Sequence, residues 1–162
     1  MIKLKKILPL AIAISLSLQA GAQVTAKWDS TYRPGKYAEK LAAFKAEPQA
    51  KRDFIFLGNS ITAGTNWSKL LDLPQAKNRG ISGDITFGVL ERLQEVIDRK
   101  PAKVFVLIGI NDIARNIPDS VILANYNKII DRIRKGSRKT KIYFYTLLPV
   151  NSSFAKFKKS LR

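Results

Sequence analysis

A chain of 162 residues, 46% hydrophobic and 25% charged, has ordinary globular composition and leaves no room for two full domains. It contains no Cys, which excludes disulfides and a lipidated cysteine, so nothing in its fold depends on redox state. The formal net charge of +17 sits largely at the ends: Lys3, Lys5 and Lys6 open the chain, and ten basic residues with no acidic one lie between Arg132 and Arg162. Charge so placed, with no nucleic-acid motif beside it, reads as solvated helix and tail surface, and no nucleic-acid partner is expected.

In chain order, the three lysines precede an apolar run from Ile7 to Leu18 and the small-x-small sequence Ala20-Gly21-Ala22, the layout of a secretory signal peptide. Residues 1–22 are therefore expected to be removed after Ala22. That would leave a periplasmic or secreted protein without stable membrane insertion, since the run falls short of the roughly 20 residues a spanning helix needs. Residues 23–52 read as an amino-terminal extension. It is polar and irregular to Pro34, and then Tyr37, Leu41 and Phe44 at i, i+4 and i+7 predict a short amphipathic helix ending near Pro48.

Residues 53–162 read as the main domain. Asp53 to Leu57 (DFIFL) has the pattern of a buried parallel strand that turns sharply at Gly58. Trp67 to Leu73 is helix-like up to Pro74, and a short strand is expected before Asn78. Arg79 to Thr86 (RGISGDIT) reads as a glycine-bearing loop leading into a helix that puts Val89, Leu93, Val96 and Ile97 on one face and stops at Pro101. Lys103 to Ile108 (KVFVLI) repeats the buried-strand pattern, followed by a loop. Ser120 is then expected to cap a long helix carrying Ile122, Tyr126, Ile129, Ile130 and Ile133, with Gly136 in a left-handed carboxyl cap. Lys141 to Leu148 (KIYFYTLL) is the last expected strand. The alternation of strand and helix predicts an α/β fold with a parallel sheet, right-handed crossovers and helices on both faces.

Ligands of such sheets bind beyond the carboxyl ends of the strands. Three strand ends here release short polar, glycine-bearing segments: Gly58-Asn59-Ser60, Gly80 to Asp84, and Gly109 to Asp112. A serine ester hydrolase needs an exposed hydroxyl and donors aimed at the oxygen that gains charge. Ser60 supplies the hydroxyl. Gly83, lacking a Cβ, lets its backbone N–H approach a bound oxygen, and Asn111 can add a side-chain amide. No G-x-G-x-x-G or G-x-x-x-x-G-K-[ST] follows the first strand, which weakens a nucleotide-binding reading. Without His or Cys, and with Asp84 and Asp112 isolated in sequence, no metal is expected; nor is an organic cofactor. Both aspartates read as helix caps or loop braces.

Taken together, the phrases FLGNSITAG (56–64), NRGISGDIT (78–86) and IGIND (108–112) resemble the first three motif blocks of the SGNH hydrolases, the GDSL-like lipases and acylhydrolases. The resemblance covers about residues 53–149. It implies a three-layer α/β/α sandwich with a parallel sheet of flavodoxin-like type, nucleophile Ser60, and oxyanion donors Gly83 and Asn111. It also implies hydrolysis of small acyl esters through an acyl-serine intermediate, with a small-molecule ester, including an acylated carbohydrate, as substrate. Two departures stand out. Asn59 occupies a position where the family commonly has Asp, and the family's last block, Asp-x-x-His after a fifth strand, is absent from a chain with no His at all. The last strand and helix are thus expected to be missing and the chain impaired as a catalyst. The alternatives are a non-catalytic carbohydrate- or ester-binding pseudoenzyme and a non-functional gene fragment. A lone Ser-x-x-Lys at Ser153–Lys156 lacks the companion motifs of the enzymes that use that pair.

Overall fold

The computed structural model describes residues 28–50 and 52–148. The expected signal peptide and the Ser153–Lys156 pattern lie outside the described residues. The ordered elements are α1 (Tyr37–Ala46), β1 (Phe54–Gly58), α2 (Ser60–Ala63), α3 (Trp67–Leu71), β2 (Ala76–Gly80), α4 (Thr86–Asp98), β3 (Lys103–Leu107), α5 (Ile110–Ala114), α6 (Asp119–Gly136) and β4 (Lys141–Phe144). The four strands form one parallel sheet in the order β2-β1-β3-β4. This is the predicted α/β architecture, with helices on both faces.

Alternation along the strands divides the side chains. Ile55 and Leu57 of β1 and Val104 and Val106 of β3 point to one face, where Val89, Leu93, Val96 and Ile97 of α4 and Ile129 and Ile133 of α6 complete the main core. Burying an aliphatic side chain of this kind stabilises by roughly 1.5–3 kcal/mol each, so this layer is the largest apolar contribution. On the other face Phe56 stacks between Trp67, delivered by α3, at 4.0 Å and Phe105 of β3 at 4.9 Å, and Phe105 in turn stacks on Tyr143 at 5.0 Å. Tyr37 and Phe44 of α1 close over Ile81 beside α4.

Local details differ from the sequence expectation in five respects. The third long helix begins at Asp119 after Pro118, so Ser120 lies inside its first turn and caps nothing. Gly136 is the last helical residue and has no left-handed conformation; its need for glycine comes from Ile97, whose Cγ2 fills the space a Cβ would take. The turns after β1 and β3 each coil into a short helix, α2 and α5, which four or five residues cannot announce by periodicity. The last strand spans only Lys141–Phe144, and β2 contains Asn78 instead of preceding it.

Candidate active site

In a parallel sheet all carboxyl ends lie along one edge, and the register fixes which residues emerge there. Gly58 pairs with Gly80 of β2 on one side and Leu107 of β3 on the other. Ser60 therefore leaves the central strand two residues past this line. Gly83 follows β2 by three residues, and Asn111 follows β3 by four. The three segments singled out in the sequence issue from three adjacent strands.

The first turn is built around Asn59. Fully buried, it caps α2, its Oδ1 accepting from the Ile61 N–H at 3.1 Å and its carbonyl from the Ala63 N–H at 2.9 Å. Here the amide does the turn-forming work that an aspartate could do. Ser60 follows as the first residue of α2 and is exposed. Its own N–H, at the start of a helix, has no intrahelical acceptor. Gly80 packs so closely beneath this turn that a Cβ there would meet Ala63 backbone atoms and stand 2.8 Å from the Asn59 carbonyl oxygen. Asn78 stitches the same turn to β2, its amide donating to the carbonyls of Thr62 at 2.9 Å and Thr65 at 2.8 Å.

Gly83 adopts φ +83°, a conformation L side chains rarely take, and its N–H meets no acceptor among the described residues. Asn111 reaches across from the third loop and donates to the Asp84 carbonyl at 2.9 Å, which brings it against the residue next to Gly83. A primary amide carries two N–H donors, so one remains after that bond. Gly109, at φ +123°, lets the chain turn from β3 into α5 under Tyr126, whose hydroxyl donates to the Ile108 carbonyl.

Beneath the loops lies a polar core that the sequence reading did not identify. Arg92 of α4 is buried and ties the second loop to the ends of two strands: Nε donates to Asp84 Oδ2 at 3.0 Å, one terminal nitrogen to the Arg79 carbonyl of β2 at 2.8 Å, and the other to the Gly58 carbonyl of β1 at 3.1 Å. Burial pushes the Asp84 carboxyl up and the Arg92 guanidinium down, each opposed by the charge of the other. Asp112 accepts from the backbone N–H of Thr86 at 3.0 Å and from its hydroxyl at 2.6 Å, while the Asn125 amide donates to that hydroxyl oxygen at 2.8 Å. Burial pushes the Asp112 carboxyl up to about 6 against these donors. The two aspartates thus brace the second and third loops, as their isolation suggested. Arg92 was missed because it stands among Glu91, Gln94 and Asp98, which are exposed, and only the pairing with Asp84 eight residues earlier gives it a buried place.

Among the described residues no group of three or more His, Asp or Glu could hold a metal ion. An apolar groove of about 640 Å³, lined by Ile113, Ile122, Tyr126, Phe144 and Leu147 among others, lies on the far side of the third loop.

An open parallel α/β sheet with a strand-end serine and two nitrogen donors from neighbouring loops defines a hydrolase-like class of site. The family model of the GDSL-like lipases and acylhydrolases matches residues 56–161, and the chain belongs to that family. An arylesterase of Vibrio mimicus is 34% identical over 106 residues, covering 55% of this chain and 52% of the arylesterase; the chain spans about half the length of that curated relative. Among solved structures, a protein described as a platelet activating factor from Streptococcus pneumonia superposes with a TM-score of 0.64 at 25% identity, over 78% of this chain and 61% of that one. A Bacteroides fragilis protein assigned as an acylhydrolase gives 0.60 at 26% identity, over 73% and 61%. The SGNH-hydrolase family esterase AlinE4, at 24% identity and a TM-score of 0.54, shares the flavodoxin-like fold.

Proposed function

We propose that this chain carries the nucleophile and oxyanion half of a serine ester hydrolase acting on small acyl esters, including acylated carbohydrates, through an acyl-serine intermediate. Ser60 is the nucleophile in this reading, and the N–H groups of Ser60 and Gly83 with the Asn111 amide receive the charge on the carbonyl oxygen. The observation that carries it is the set of unspent donors: two backbone N–H groups without acceptors among the described residues, and an Asn111 amide held by its bond to Asp84. Donors fixed before the reaction cost nothing to reorganise, and removing one such donor typically costs about 2.7–4 kcal/mol of transition-state stabilisation. In the attack the Ser60 oxygen bonds the carbonyl carbon, the alcohol leaves with a proton, and water later releases the acid. The export of the protein belongs to the same reading and rests on its first 22 residues.

The proton of Ser60 has no histidine to go to, because none occurs in the 162 residues, and both nearby aspartates are committed to Arg92 and Thr86. Oxyanion donors and binding alone still give about 10³–10⁴ over water in enzymes stripped of such a base. Slow acylation is therefore the expected behaviour of these residues on their own. Incubation with p-nitrophenyl acetate followed by peptide mass mapping should find one acetyl group on Ser60 and none on that peptide in Ser60→Ala. Equal acetyl release by parent and variant would remove Ser60 from the mechanism. A second reading gives the same donors a binding role alone, a pocket that holds esters or sugars without cleaving them. Saturable binding with no acetylation at any time would select it.

A further inference from the structure

The segment before α1, together with the first residue of that helix, is pinned along α4 beside the second loop. Trp28 stacks on Phe87 at 5.6 Å, Arg33 Nε donates to Glu91 at 2.8 Å, and the Tyr37 hydroxyl donates to the Gly88 carbonyl at 2.7 Å. Among these anchors Tyr32 lies against Gly83, its hydroxyl 3.5 Å from the point where a Cβ of Gly83 would stand. The guanidinium of Arg115, at the end of α5, rests on the other feature of this corner, the Tyr32 ring, with its central carbon 3.2 Å from the centroid.

Neither polar group is spent. Arg115 forms no ion pair, and its side chain no hydrogen bond, with any described residue, although most of the other arginines near the site do. Asp29 feels the Arg115 charge, but its carboxylate takes its hydrogen bonds from the Thr31 N–H and hydroxyl. The Tyr32 hydroxyl likewise has no partner among the described residues. Stacking on a ring fixes the plane of a guanidinium without using its N–H donors, so the fork stays available at its edge. A planar fork of that kind matches the two oxygens of a carboxylate or phosphate.

We infer that Arg115 and Tyr32 form an anion subsite beside the oxyanion corner, selecting esters that carry a carboxylate or phosphate group over neutral ones. The inference rests on the reading of Gly83 and Asn111 as oxyanion donors and adds the substrate's charge to it. Arg115 holds the anion through paired N–H bonds, and Tyr32 positions Arg115 while offering its hydroxyl toward the same space.

The test uses unreactive amide analogues, so that it does not depend on turnover. The ¹⁵N-labelled chain is titrated with acetanilide, 4-acetamidobenzoate and 4-acetamidophenyl phosphate, following the Gly83 backbone amide and the Asn111 side-chain amide. The anionic probes should bind about tenfold more tightly than acetanilide, the margin of one charge-assisted hydrogen-bond pair, and Arg115→Gln should erase the margin. Arg115→Lys, which keeps the charge and loses the fork, should retain part of it. The carboxylate and phosphate arms tell which anion fits better. Equal affinity for neutral and anionic probes, with Gly83 and Asn111 still responding, overturns the subsite and leaves the oxyanion reading standing. No response of either amide to any probe overturns both. A preference that survives Arg115→Gln assigns the anion to another residue and also overturns the inference.

Discussion

Replacing Arg92 by Met tests whether the second loop is held against the strand ends by the buried ion pair. The substitution keeps most of the aliphatic volume and removes bonds to Asp84, the Arg79 carbonyl and the Gly58 carbonyl. Asp84 is fully buried, so it would be left as a carboxylate without its cation. Removing one partner of a buried pair costs about 3–5 kcal/mol, and the Arg79 carbonyl also loses a donor, whereas that of Gly58 keeps the Ile81 N–H at 3.0 Å. With a urea dependence of about 2 kcal/mol per molar, a loss of about 4 kcal/mol moves the unfolding midpoint by about 2 M, a large share of the stability of a small domain. The penalty is pH-dependent in a definite direction. Burial already raises the Asp84 pKa, and removing Arg92 raises it further; a raised carboxyl favours the folded state at low pH and penalises it as pH rises, so the deficit shrinks toward acid. Urea titrations by circular dichroism at neutral and acid pH measure it. Arg92→Met combined with Asp84→Leu should recover much of the loss, because an apolar pair is often as stable as a buried ion pair. A single variant within about 1 kcal/mol of the parent, or a double variant no better than the single, would refute the assignment of loop geometry to this pair.

Asp112 predicts a second pH signature. Its carboxyl rises from an ordinary 3.8 to about 6 in the folded chain, so the stability it contributes below the lower value is lost as pH climbs through the higher one. The loss amounts to at most about 3 kcal/mol, and Asp112→Asn should flatten it in pH-resolved unfolding; a parent–variant difference constant from acid to neutral pH would contradict this. Gly80→Ala presses a methyl into the backbone of Ala63 and Asn59 and should cost about 1–3 kcal/mol or more, whereas Gly64→Ala, 3.4 Å from its nearest neighbour at the Ser60 carbonyl, should be neutral or mildly stabilising. Thermal unfolding of the pair checks the contrast, and similar melting points for the two variants would count against the close approach of β2 to the Ser60 turn.

The main core was legible because its signal is apolar and periodic. DFIFL and KVFVLI announced β1 and β3, and the 89, 93, 96, 97 stripe announced α4, since both faces of a central strand and one face of a helix must be dry. β2 was harder to read. As an edge strand it spells AKNRG, and its buried positions are Ala76, Arg79 and Gly80, with the Arg79 guanidinium over the Phe44 ring at 4.8 Å, so none of them carries a large apolar side chain. The three site loops were visible as glycine-bearing segments at strand ends. What fastens them was not: Arg92 to Asp84 and Asp112 to Thr86 are contacts between residues eight and 26 positions apart, made through side chains that composition counts as surface. The segment carrying Trp28 and Tyr32 read as irregular because two aromatics four apart make no repeating pattern. Only their stacking on Phe87 and beneath Arg115 gives them a place.

This division between apolar core and polar fastening bears on how activity losses are to be interpreted. Ser60 is exposed and stands outside the buried network, its side chain bonded to no described residue. Ser60→Ala should therefore change folding stability by no more than about 0.5 kcal/mol, the usual range for a surface site. Arg92, Asp84 and Asp112 have the opposite character: each holds a loop, so their variants alter stability and loop position together. An acetylation deficit in Ser60→Ala at unchanged urea midpoint reports the hydroxyl itself, whereas the same deficit in an Arg92 variant reports displaced donors. A Ser60→Ala midpoint shifted by 1 M or more, about 2 kcal/mol at a typical slope, would mean that the serine braces the turn and would deprive the acetylation test of its meaning.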